Sequence, residues 1–99
     1  MTNKEITSVI LSQLGGLGRL NAMLGIKQVT IVDNGVFIKY KVSSPVNYIK
    51  IQLNGLDLYN IEMGKIHGMN YKVIKYVNDV FVEEMKSIIE DTCKVRLSL

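Results

Sequence analysis

The sequence predicts an α+β domain: an antiparallel sheet of four to five strands, with an N-terminal and a C-terminal helix packed on one face. Three observations carry that expectation. Val32-Asp33-Asn34-Gly35-Val36 and Gln52-Leu53-Asn54-Gly55-Leu56 are hairpin signals set in alternating apolar and polar residues, because Asn-Gly supplies the two positive-φ positions of a type I′ turn. Apolar residues recur at helical spacing at both ends of the chain. A length of 99 residues with 47% in the hydrophobic set provides for one core and not two, so residues 1–99 are expected to form a single domain.

Thr2-Asn3-Lys4-Glu5 has the form of a capping box, in which the Thr2 hydroxyl and the Glu5 carboxylate satisfy backbone N–H groups reciprocally, so a helix starts there. Ile6, Val9, Ile10, Leu14 and Leu17 form its apolar stripe, with Lys4, Ser8 and Ser12 facing away. Gly15-Gly16 and Gly18 end or bend it, Arg19 to Leu24 add a turn or two, and Gly25 closes the run as a C-terminal cap. A two-residue turn at Asn34-Gly35 sets Val32 opposite Phe37, Ile31 opposite Ile38 and Val29 opposite Tyr40. Val29, Ile31, Val36, Ile38, Tyr40 and Val42 then face the core, and Gln28, Thr30, Val32, Phe37, Lys39 and Lys41 face away.

After the interruption at Ser43-Ser44-Pro45, a third strand runs from about Asn47 to Leu53, with Ile49, Ile51 and Leu53 inward and Tyr48, Lys50 and Gln52 outward. The fourth strand has two registers. A strict turn at Asn54-Gly55 turns Asn60 inward, whereas a longer loop or a bulge around Asp57, the preferred alternative, turns Tyr59, Ile61 and Met63 inward. Gly64 to Gly68 reads as a connection and Asn70 to Val77 as a fifth strand. Asn78-Asp79 is positioned to cap a last helix with the stripe Phe81, Met85, Ile88 and Ile89 and with Asp79, Glu83 and Glu84 in its first turn. Val95 to Leu99 alternates, as an edge strand or a frayed tail does.

Charge is unevenly spread over the net +3. Residues 26–77 hold seven Lys against Asp33, Asp57 and Glu62, residues 78–99 hold five acids against Lys86, Lys94 and Arg96, and residues 1–25 add +1. The sheet is thus basic and the last helix acidic, which permits an anionic partner without demanding one. Cys93 is the one cysteine, so no intrachain disulfide forms and the expected address is cytoplasmic. Ile6 to Gly18 is too polar at Thr7, Ser8, Ser12 and Gln13 for a signal peptide, and no stretch reaches the ~20 apolar residues of a membrane span.

No motif names a chemistry. Gly15-Gly16-Leu17-Gly18-Arg19 resembles a phosphate loop in composition, but it follows a helix where such a loop follows a strand, so a helix-to-helix corner is expected. His67 and Cys93 lack a third orienting group, and no His or Cys cluster has metal-ligand spacing; no enzyme activity, cofactor or metal is expected. Glu83-Glu84 and Glu90-Asp91 read as solvated helix surface. What remains is the outward sheet face, where Phe37, Lys39, Lys41, Tyr48 and Lys50 interleave rings and ammonium groups as a single-stranded nucleic acid requires, and as a protein interface also does.

Several stretches resemble a group of short proteins encoded by bacteriophages and integrated mobile elements. They are Ile10-Leu11-Ser12-Gln13-Leu14-Gly15-Gly16, Ala22-Met23-Leu24-Gly25-Ile26-Lys27, Asp57-Leu58-Tyr59 and Ile89-Glu90-Asp91-Thr92, with Ser98-Leu99 at the close. Members tend to carry Thr-Gly where this chain has Thr92-Cys93. The resemblance implies a phage or mobile-element setting and no mechanism. The resulting expectation is a non-enzymatic accessory protein, dimeric, acting on a protein partner or by self-association, with single-stranded nucleic-acid binding as the alternative.

Overall fold

The computed structural model describes residues 2–44 and 46–93. In chain order it contains α1 (Asn3–Gln13), α2 (Leu17–Leu24), β1 (Ile26–Val32), β2 (Gly35–Ser44), β3 (Val46–Leu53), β4 (Tyr59–His67), β5 (Asn70–Val80) and α3 (Val82–Cys93). The strands form one antiparallel sheet in the order β1-β2-β3-β4-β5, a meander in which each strand pairs with its neighbour in sequence. α1 and α3 lie on one face. Ile6, Ile10 and Leu14 of the N-terminal segment and Met85 and Ile89 of α3 pack with Val36, Ile38, Tyr40, Ile49, Ile51, Tyr59, Ile61, Met63 and Val80, all buried. Each fully buried side chain of this size contributes about 1.5–3 kcal/mol, so this face holds the fold.

The capping box forms as its residues require: Glu5 N–H donates to the Thr2 hydroxyl and Thr2 N–H donates to the Glu5 carboxylate. The α1 stripe is rotated from the expected one. Val9 is exposed, and Thr7 is buried instead, because its hydroxyl donates to the Gly35 carbonyl at 2.7 Å. Gly15 and Gly16, with φ of 103° and 93°, make the corner between α1 and α2, and Gly25 closes α2 in the left-handed region at φ 66°.

The first hairpin forms in a register shifted by two from the expected one, with its two-residue turn one position earlier. Val32 pairs with Gly35, Ile31 with Val36 and Val29 with Ile38, leaving Asp33-Asn34 as the turn. Asn34 adopts φ 57°, which Asn tolerates, while Gly35 is a strand residue. The reason lies in the ladder: a Cβ on Gly35 would stand 1.9 Å from the Ile51 carbonyl oxygen. A shift of two leaves each described side chain of the hairpin on its expected face, so Val36, Ile38 and Tyr40 are still inward; Ile31, on edge strand β1, remains half exposed.

Between β3 and β4 the loop is longer, residues 54–58, with Asp57 at φ 60°, and Tyr59, Ile61 and Met63 turn inward as preferred. Two segments correct the sequence reading. Gly64 to His67 belongs to β4 and the turn is Gly68-Met69, because Gly64 serves close packing and not a break. Asn78 and Asp79 belong to β5, so the first turn of α3 carries Glu83 and Glu84 without Asp79, and Phe81 is exposed ahead of the helix. The side chains of Leu17, Val42 and Cys93, and the stretch Val95 to Leu99, lie outside the described residues and side chains.

Candidate functional site: the open face and terminal strand of the sheet

The face opposite the helices is built from alternate residues of every strand. Registers set Thr30 beside Phe37, Phe37 beside Lys50, Lys39 beside Tyr48, Lys50 beside Glu62, and Tyr48 beside Gly64. On β5, Tyr71, Val73 and Tyr76 oppose Ile66, Gly64 and Glu62 and so share this face. Phe37, Lys39, Tyr48 and Lys50 therefore converge here as the alternation predicts. Lys41 continues the same row of β2 and is exposed, with its stem packed beside Gly25.

Tyr48 does not have the role its outward position suggested. It is fully buried, between Phe37 and Tyr71, with ring centroids at 5.3 and 5.0 Å and interplanar angles of 20° and 26°. Gly64 makes room for it: a Cβ there would lie 2.7 Å from the Tyr48 ring and 2.1 Å from the Lys72 carbonyl oxygen. The phenol donates to Glu62 at 2.9 Å, Tyr71 donates to the same carboxylate oxygen, and Lys50 Nζ stands 3.9 Å from its other oxygen. Burial, followed by the hydrogen bonds with Tyr71 and Glu62, pushes the Tyr48 phenol far above its ordinary range, and burial chiefly raises that of Tyr71. These tyrosines are proton-bearing donors at neutral pH. They lock Glu62 in place, and each stacked pair adds about 0.5–1.5 kcal/mol beyond its buried area.

The accessible part of this face lies further along, on β5. Tyr71, Val73, Ile74 and Tyr76 are 44–52% exposed, and Met69 at the β4–β5 turn is wholly exposed. The side chains of β5 alternate: Tyr71, Val73 and Tyr76 on the open face, Lys72 and Lys75 on the helix-covered face, with Ile74 unpaired at a bulge between them. β5 ends the sheet, so its outer backbone groups face no further strand among the described residues. The sequence reading passed over these residues, treating Asn70 to Val77 only as a strand. The available signal was the succession Tyr71-Lys72-Val73 and Lys75-Tyr76 on a terminal strand.

Elsewhere, a cleft of about 390 Å³ opens beside α2 and β1, lined in part by Gly18, Asn21, Ile26 and Val29; Asn21 Oδ1 accepts from Ile26 N–H. Among the described residues no group of three His, Cys, Asp or Glu is arranged to hold a metal, and no helix is long and apolar enough to cross a membrane. No protein-family model, curated protein or solved structure matches the chain.

Proposed function

We propose that this protein is a small non-enzymatic binding module of a phage or mobile element, working in the host cytoplasm through a protein–protein interface on the open face and the β5 edge. One observation carries the reading: four neighbouring large apolar side chains, Tyr71, Val73, Ile74 and Tyr76, stand about half exposed on a strand that has no outer neighbour among the described residues. A contiguous apolar strip beside unpaired backbone is what a protein partner covers, through side-chain burial and ladder extension together. The alternative, single-stranded nucleic acid, keeps Lys39, Lys41 and Phe37 but loses a stacking platform, since buried Tyr48 offers no ring face to a base and Lys50 is drawn to Glu62.

The test is photo-crosslinking in the cell that makes the protein, from a benzophenone side chain at position 76 and, as a control, at the exposed Ser8 of α1. A discrete protein adduct from position 76 alone is expected. Equal adducts from both positions would overturn the reading, and none from position 76 together with salt-sensitive binding of a labelled single-stranded oligonucleotide that Lys39→Ala abolishes would replace it with the alternative.

A further inference from the structure

The geometry points to an extended peptide adding to β5 as a sixth strand, its alternate side chains acidic on the helix-covered side and apolar on the open side. This rests on the protein-binding reading above and narrows it to one class of partner. The apolar half follows from the half-exposed Tyr71, Val73 and Tyr76, which would flank the added strand on the open face. The acidic half follows from the opposite face. Lys65 and Lys72 are directly opposed across β4 and β5, and Lys75 lies on the same side opposite Met63.

Like charges directly opposed destabilise a sheet, and among the described residues none of these three lysines forms an ion pair. Two carboxylates on a neighbouring strand would relieve that repulsion. Backbone N–H and C=O groups along the outer side of β5 supply the register, and the alternation of the two faces supplies the selectivity.

A second copy of this chain fits the same edge less well. Joining two β5 strands about a two-fold axis perpendicular to the sheet gathers Lys72 and Lys75 of both copies on one face, where they repel, and the bulge at Ile74 interrupts each ladder.

Fluorescence anisotropy decides the matter, using the full chain and labelled peptides of about eight residues, the ordinary length of a strand. The probes are an alternating Glu-Val peptide, its Lys-Val counterpart, the same Glu and Val residues in two blocks, and the Glu-Val peptide N-methylated at every second residue. The alternating acidic peptide alone should bind, and Lys72→Glu with Lys75→Glu should weaken it at least about tenfold through lost charge pairing while restoring affinity for the Lys-Val peptide. Equal binding of the block or N-methylated peptide overturns strand addition, and an oligonucleotide that displaces the peptide and is lost with the same double variant reassigns the lysines to nucleic acid. Concentration-dependent dimerisation abolished by the double variant assigns the edge to a second copy. If no peptide binds while position 76 still yields its protein adduct, this inference fails and the broader protein-binding reading stands.

Discussion

The two Asn-Gly dipeptides of this chain are identical as text and opposite in use. At the first, Asn34 takes the left-handed conformation and Gly35 passes into the sheet, where it is buried and paired on both sides, with Val32 and with Gln52. The N-terminus of α1 is fastened there as well: Asn34 N–H donates to Asn3 at 2.9 Å and Thr7 donates to the Gly35 carbonyl. At the second, Gly55 is exposed with nothing within 4 Å of where its Cβ would be, and the Asn54 side chain organises the loop instead. Asn54 Oδ1 accepts from Leu56 and Leu58 N–H, and its Nδ2 donates to Asn60 and Asp79. The same pair of residues thus serves tight backbone packing in one hairpin and side-chain hydrogen bonding in the other.

The difference is sharpest under substitution. Gly35→Ala forces a methyl group against the Ile51 carbonyl and the Gln52 Cα, neither of which is a flexible side-chain end, and should cost about 3 kcal/mol in urea unfolding. Asn54→Ala removes the acceptor of two loop N–H groups and the link to Asn60 and Asp79 and should cost about 2 kcal/mol, with faster amide exchange at Leu56 and Leu58. Gly55→Ala should lie within about 0.5 kcal/mol of the parent, since the added carbon meets open space. Equal costs at Gly35 and Gly55 would erase the distinction between the two turns.

These turns also show what was legible. Alternation assigned the faces of β1 to β3 correctly even though the first register slipped, because a slip of two preserves the period of a strand. The inward set Ile38, Ile49 and Ile51 and the helix contacts Ile10, Leu14, Met85 and Ile89 follow from periodicity alone. What periodicity cannot carry is a glycine chosen for closeness. Gly35 read as a turn residue and Gly64 as a break, yet each lies within a strand because another backbone or ring occupies the space beside it. The burial of Tyr48 followed from the second of these, so the outward face looked richer in accessible rings than it is. The place of β5 at the end of the sheet depends on strand order, which no local pattern states.

The meander carries a consequence for how the chain assembles. Every strand pairs with the one made just before it, so each ladder closes only a short loop of chain, at a small cost in entropy. Sheets of such local connectivity fold faster than those requiring distant strands to meet. On a ribosome the hairpins can form in order of synthesis, while contacts such as the 2.7 Å hydrogen bond from Tyr59 to Gln13 must wait for β4. The helix α3, arriving last, finds Ile61 and Met63 already aligned and closes the hydrophobic face over strands that precede it.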